Sequence, residues 1–562
     1  MFAAMTRRRV LRPGLKSVAR GLVAALLWMV VPAGAALAQA RDPVVAASEV
    51  FLEVRRFEIA GSNPLSAAET DTVLAPHLGP HRNLASLEAA PAALEARLRE
   101  RGHSFHRVII PAQKPADGVV KLEILQFPLA TVEVTGNNHF SADNIRRSMP
   151  SLTAGDAPDV GAISRDLGLA NEHSSKRISI VLKESAKADA LDAEIRVRDV
   201  EPSMFFLGLT SQTKDAYDDI NKATGHTRLT FGFQNTNLFD RDHALTLTYT
   251  TSTEHPERVK QYAAFYWMPL YGLATSLQMY YTRSDVSTGA LGLGANSFNV
   301  SGRGEFFGLR LSHSLPKWQE WVHSVSVAVD DRFFDNNTAV TFGGLSANTT
   351  TPVRSRPAAL RYTMRWDQPW GGIGAHAEQV TNLPGGSWNN DLSYGAVRTN
   401  ANRRWTAFRY GLDASYLLGT WTATARLRGQ HTGSLLIPGE QFGLGGVTSV
   451  RGLREREMTG DTGYTMTLEL NGPPMAMAGG VRPVVFLDHG HVKLLDNSGR
   501  VGTTVNQDTA TSVGVGARWN HERRVDLSLD LAYVLNGIAS SGSIPGTKAG
   551  DTKLMLNALI RF

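Results

Sequence analysis

The sequence predicts α+β modules followed by an all-β, 16-stranded transmembrane β-barrel, and three observations point there. After Pro202, apolar and polar residues alternate along segments of about 9–14 residues, long enough to cross a bilayer at a tilt. The links between those segments alternate long and short. Before Pro202, one pattern of strand, helix, helix and closing strands occurs twice.

Forty residues precede both parts. Arg7, Arg8, Arg9, Arg12, Lys16 and Arg20 form a basic stretch, and Gly21 to Val31 an apolar run. Ala36-Leu37-Ala38 and Ala38-Gln39-Ala40 are two small-x-small cleavage sites. This order predicts a secretory signal peptide over 1–40, with an apolar run too short for a membrane anchor. The stretch holds six basic and no acidic side chains, so the rest of the chain carries 52 of each, and the net charge of +6 belongs to the leader. A neutral mature chain gives no support to a nucleic-acid footprint. Without cysteine it does without disulfides and thiolate metal sites. No other run reaches about 18 apolar residues, which excludes a transmembrane helix and leaves a soluble periplasmic protein or a barrel.

A short segment, 41–50, leads to the first module, 51–128. FLEVRRFEIAG (51–61) reads as a strand ending in glycine, and Ser66 to Glu69 as a capping box opening a helix. In SLEAAPAALEARLRERG (86–102), Leu87, Leu94 and Leu98 share a helical face, Pro91 delays the helix start and Gly102 stops it. Strands HRVIIP and GVVKLEIL follow. The second module, 129–202, repeats the plan: strand, Gly136, a Ser141 cap, a helix, a second helix at 166–173 and a closing strand at 191–202.

From 203 to 562 the period is two. Val525, Leu527, Leu529, Leu531, Tyr533 and Leu535 share one face of VDLSLDLAYVL, and Asp526, Ser528, Asp530 and Ala532 the other. Sixteen such segments begin near 205, 226, 242, 259, 273, 300, 321, 354, 372, 404, 420, 463, 481, 509, 525 and 552. Long links include 213–225, 335–353, 384–403, 432–462, 495–508 and 536–551; short ones include 269–272, 418–420 and 520–524. Outer-membrane barrels show this asymmetry. An even strand count leaves both barrel ends on the periplasmic side, where the modules must lie. The terminal strand ends at Phe562 and resembles the C-terminal aromatic assembly signal of such barrels.

The link 432–462 is too polar and Gly-rich for a helix or a plain strand, and too long for an ordinary connection. It carries Arg451 between Gly446 and Gly452, and closes with Gly-Asp-Thr-Gly around Asp461. The residues alone leave open whether Arg451 stands in water outside or is folded inward.

Two such modules and a sixteen-stranded barrel resemble the TpsB transporters of two-partner secretion, the haemolysin secretion/activation proteins of ShlB/FhaC/HecB type. Three motifs carry the resemblance, and it spans nearly all of the mature chain. RLRERGHSFHRVIIPAQKPADGVVKLEIL (97–125) resembles the family's first POTRA module, with Gly102, Pro111 and Gln113, and Asp117-Gly118 as the turn. LIPGEQFGLGGVTSVRGLREREMTGDTGY resembles the family's long sixth loop, with Val450, Arg451, Gly452 and Leu453 at its tip. The family usually has an aromatic where Leu453 stands. Phe486, Asp488 and Gly490 match its F-x-D-x-G pattern on the thirteenth strand.

The resemblance implies that the loop folds back into the barrel. Phe486, Asp488 and Gly490 then face the lumen, where a lone carboxylate is costly. Arg451 can meet Asp488 as a bidentate partner, which makes Val450 to Leu453, with Asp461, a loop latch. Arg426, Arg428, Asp526 and Asp530 line the path, while His489 and His491 point to lipid and bind no metal. The resemblance also implies a secreted TpsA-type exoprotein as partner, outer-membrane lipid around the barrel, and the barrel-assembly machinery during biogenesis. No phosphate-binding loop, G-x-S-x-G or paired nucleophile and base occurs, so the expectation is a transporter with no cofactor and no catalytic residue. Alternatives are a barrel-assembly insertase of the same superfamily, an outer-membrane hydrolase, and a passive porin that leaves 50–200 unexplained. With about ten residues before Phe51, no N-terminal plug helix is expected.

Overall fold

The computed structural model describes residues 52–213, 225–284, 290–293, 296–299, 303–342, 345–476, 479–496, 506–522, 524–539 and 546–562. The signal peptide, the segment 41–50 and the plug helix expected to be missing there all lie outside the described residues.

In the first module, strand β1 (Arg56–Gly61) runs parallel to the central β3 (Val119–Gln126), which pairs antiparallel with β2 (His106–Ile109). Helices α1 (Ala67–Leu74) and α2 (Ala89–Glu100) bury Leu74, Leu94 and Leu98 against Val120, Leu122 and Ile124. The Ser66 hydroxyl accepts from the Glu69 N–H at 3.3 Å and opens α1. Pro91 lies in the first turn of α2, where its missing N–H has no intrahelical acceptor to lose.

The second module repeats the topology. Its central strand β6 (Leu191–Asp199) is parallel to β4 (Leu129–Thr135) and antiparallel to the edge strand β5 (Lys176–Glu184). Helix α3 (Ala142–Arg147) is capped by Ser141, and α4 by Asp159. The repeat extends to its glycines. Gly61 and Gly136 both have positive φ, and a Cβ on either would sit 2.5 Å from a carbonyl oxygen of the adjacent central strand, a close approach open to glycine. Two details differ from the sequence reading. Helix α4 spans Val160–Ala170 rather than 166–173, because Asp159 supplies a cap that accepts from two N–H groups. The edge strand β5 had no assigned place in the sequence.

Sixteen antiparallel strands then close into a barrel. They begin at Ser203, Thr227, His243, Lys260, Thr275, Gly304, Val322, Leu345, Gly371, Thr406, Trp421, Thr462, Arg482, Gln507, Val525 and Thr552. The eighth has two segments, Leu345–Ser355 and Pro357–Gln368, interrupted at Arg356. The last strand pairs with the first from Met555–Gln212 to Arg561–Phe206. In the fifteenth, Leu527 to Leu535 on the outward face are 36–49% exposed at every second residue, while Asp526, Ser528 and Asp530 face inward, followed by Ala532 and Val534 where apolar residues of the hairpin pack. Apolar outside and polar within is the pattern of a lipid-facing barrel. No helix among the described residues is long and apolar enough to cross a membrane.

The expected link 335–353 is mostly strand: the seventh strand continues to Phe342 and pairs outward with Leu345–Pro352. The link 384–403 holds a short helix, α5 (Asp391–Val397). The sequence marks both only as long links, since neither carries the membrane-spanning alternation of the strands around them.

Candidate functional site

The loop 432–462 folds into the barrel as a hairpin whose short strands pair Phe442 with Gly460 and Leu444 with Met458. Gly445, Gly446 and Gly452 have φ of 110°, 97° and 93°, left-handed turns that reverse the chain at the tip. Val450 and Leu453 are fully buried with Leu444 against Val492, Ala510 and Val534 of the wall. Leucine at 453 fills this apolar site without an aromatic ring.

Arg451 is the polar centre. Its Nε donates to Asp488 Oδ2 at 2.6 Å and Nη2 to Oδ1 at 2.9 Å, a bidentate pair, and its backbone N–H adds a third bond at 3.1 Å. Nη1 donates to Glu469 at 2.7 Å and lies 3.8 Å from Asp530. The guanidinium stands 3.5 Å over the Phe486 ring. The three motif residues on the thirteenth strand thus do separate jobs. Phe486 stacks on the cation, Asp488 pairs with it, and Gly490 makes room: a Cβ there would fall 2.2 Å from Leu444 Cδ1 and 3.1 Å from Val450 Cγ2.

Asp461 does not join this cluster. It sits at the hairpin base in a bidentate pair with Arg398, at 2.5 and 2.9 Å, and accepts from the N–H groups of Leu436 and Leu495. A third anchor was missed in the sequence. Glu440, buried, accepts from Arg332 at 2.8 Å, Arg409 at 3.2 Å and Ser355 at 2.6 Å. The hairpin therefore reaches from strands seven, eight and ten, at Glu440, to strands twelve, thirteen and fifteen, at Arg451. The available signal was a charge on the inward face of its strand: Glu469 and Arg409 both fall on one.

The other lumen residues are cross-linked. Arg426 and Arg428 pair with Asp413 at 3.3 and 2.7 Å, Asp526 with Arg561 at 2.5 Å, and Asp530 with Arg518 at 2.7 Å. His489 and His491 flank the outward Tyr464 ring and bond Thr511 and Thr509 at 2.9 Å each. Among the described residues no cluster could hold a metal ion.

In the first module the Gln113 side chain both accepts from the Lys121 N–H, at 2.8 Å, and donates to its carbonyl, at 2.7 Å. It extends the ladder after Pro111, which has no N–H to give. Asp117 and Gly118 are the left-handed turn into β3. Gly102 lies at the junction of the modules: its carbonyl accepts from Val160 at 3.0 Å, and a Cβ would crowd Asp159. Phe562, exposed, donates its N–H to Phe205 on the first barrel strand at 2.9 Å.

Residues 212–519, over half of the chain, match the profile of the haemolysin secretion/activation protein family ShlB/FhaC/HecB. The chain belongs to this family. Residues 52–126 match the POTRA domain of ShlB type. The fold is similar to that of CdiB from Escherichia coli, with a TM-score of 0.69, 16% identity and 93% of each chain covered. It is also similar to CdiB from Acinetobacter baumannii, with a TM-score of 0.62 and 15% identity over 91% of this chain and 90% of that one. No curated protein matches the sequence. ShlB/FhaC/HecB membership makes this a TpsB-type transporter of two-partner secretion, which implies an outer-membrane barrel, periplasmic POTRA modules and a secreted TpsA-type partner.

Proposed function

We propose that the protein carries one exoprotein, of adhesin or haemolysin type, outward through its own barrel without ATP. The observation that carries this reading is the hairpin spanning the lumen, pinned through Arg451 to Asp488 and through Glu440 to the opposite wall. A passive pore has no use for such a bolt, and a polypeptide passage does. Among the described residues, the nine-residue strand β5 pairs on one side only. It offers a free edge to which an unfolded chain can add a strand, with affinity coming from backbone bonds rather than charge. A cavity of about 1300 Å³ runs from module residues Arg99, Arg165 and Arg177 to barrel residues Phe206, Arg310 and Arg365, giving a captured chain a route to the lumen. The latch of Val450, Arg451, Gly452 and Leu453 then releases, the exoprotein threads the polar interior, and apolar burial on folding outside opposes its return.

The test is to delete the protein and compare both the medium and the outer membrane. This reading expects one large polypeptide to vanish from the surface and medium while other barrels assemble normally. A general loss of barrels with no missing exoprotein would instead indicate an insertase.

A further inference from the structure

The second module meets the barrel through a cluster that the transport reading does not use. Lys176, the first residue of edge strand β5, has a fully buried side chain. Its Nζ donates to Asp242 Oδ2 at 2.5 Å and to Asn144 Oδ1 at 3.0 Å. Asp242 belongs to the turn between the second and third barrel strands. It also accepts from Asn144 Nδ2 at 2.9 Å and from the Tyr271 hydroxyl, on the turn after the fourth strand, at 2.7 Å. His173 contacts the Thr236 carbonyl at 2.6 Å, and the Ser175 and Thr236 hydroxyls are 2.8 Å apart. The ammonium also lies 5.4 and 5.9 Å from the Phe140 and Tyr271 rings.

Two features separate this joint from ordinary packing. First, Phe239, Asp240 and Asp242 all have left-handed φ, of 60°, 53° and 61°. Three such non-glycine residues within four positions hold backbone strain that aims Asp242 at the module, and strain of this kind persists where surrounding contacts over-determine it. Second, an apolar contact of the same size would stabilise the joint at least as well as a buried ion pair. What the charged network adds is direction: Lys176 is satisfied in one orientation of module on barrel. Burial pulls the Lys176 ammonium below its ordinary range while Asp242 opposes that pull, so the network depends on both partners.

We propose that Lys176, Asp242, Asn144 and Tyr271 form an alignment clamp that fixes the second module rigidly on the barrel and holds the near end of strand β5 at the lumen mouth. The proposal rests on the transport reading for its purpose, but its geometry is independently measurable. Hand-over of the exoprotein then occurs with this joint closed, and motion is confined to the hairpin and to the junction of the two modules.

The chain has no cysteine, so spin labels on Lys187→Cys and Thr420→Cys in the full-length protein report module-to-barrel distance. The clamp predicts a single narrow distance distribution that broadens in Asp242→Asn and in Lys176→Met. An unchanged distribution in both variants overturns it, whatever export does. In cells, Asp242→Asn is expected to cut export at least ~10-fold with barrel levels maintained, because one buried partner is left alone. A Ser175→Cys/Thr236→Cys disulfide should restore export in that variant, lose the rescue on reduction, and leave export normal in the otherwise unaltered protein. Export blocked by the disulfide alone means that the joint has to move, and overturns the proposal. Should Asp242→Asn fail to assemble, the disulfide in the unaltered background still decides.

Discussion

Replacing Arg451 by alanine tests the hairpin energetics most sharply. Its side chain is 4% exposed and that of Asp488 is not exposed at all. Removing one member of such a pair costs about 3–5 kcal/mol, chiefly because the other charge stays buried alone. Here the backbone N–H of residue 451 keeps one bond to Asp488, which places the loss towards the lower end, about 3–4 kcal/mol, even with the stacking on Phe486 gone. That is roughly a 10²- to 10³-fold shift from docked to released hairpin. The assay uses Val450→Cys, fully buried in the docked hairpin and the sole thiol in the chain. Labelling by a membrane-impermeant maleimide proceeds through the released state and should accelerate by that factor in the Arg451→Ala background, with barrel insertion intact. Equal labelling rates in the two backgrounds would refute the reasoning. Arg451→Lys should fall between them, since an ammonium keeps the charge and loses the fork.

Other expectations follow from the same contacts. Gly490→Val places a side chain where Leu444 and Val450 sit, so the hairpin should be displaced and the buried thiol labelled as fast as in Arg451→Ala. Glu440→Ala cuts the hairpin's ties to Arg332 and Arg409, which keep Asp330 and Gln430, and single-channel recording should show longer or more frequent openings than the parent. Gln113→Ala removes two hydrogen bonds, a loss of about 1–3 kcal/mol confined to the first module, visible as faster amide exchange at Lys121. Asp199 feels burial, which raises its pKa, but N–H donors from Asn138, His139 and Phe140 outweigh it and hold the carboxylate below its ordinary value. A depressed folded pKa means that this contribution is complete above about pH 4 and is lost as pH falls through the folded value. Protection of the 138–140 amides, measured against the intrinsic exchange rate at each pH, should therefore fall on acidification in the parent and show no such step in Asp199→Asn.

Much of the barrel was legible because its period is imposed by lipid on one side and water on the other. Fifteen strand starts lie within about four residues of those read from alternation, as the tilt and length constraints require. The eighth strand starts earlier, at Leu345, because it pairs beyond the membrane, where no hydrophobic pattern is demanded. The tip cluster was readable through a resemblance that placed Arg451 opposite Asp488. Glu440 and Asp461 show the limit. Their partners Arg332, Arg409 and Arg398 lie far away in sequence, on different strands and on another loop, and barrel closure alone sets those distances. Strand β5 escaped for a local reason: KRISIVLKE has charged ends and a mixed face, because one of its lysines is consumed at the joint with the barrel.

The central claim is that the docked hairpin closes the passage and must leave its seat for a polypeptide to cross. A reversible tether tests it directly. An ideal Cβ at residue 490 lies 3.1 Å from Val450 Cγ2, close to the separation a disulfide needs between one sulfur and the opposite Cβ. With Leu444→Ala removing the Cδ1 atom that would lie 2.2 Å from that Cβ, and with Val450→Cys and Gly490→Cys oxidised to completion, the account predicts that export of the partner stops and that reduction restores it. Undiminished export through a fully tethered barrel would contradict it.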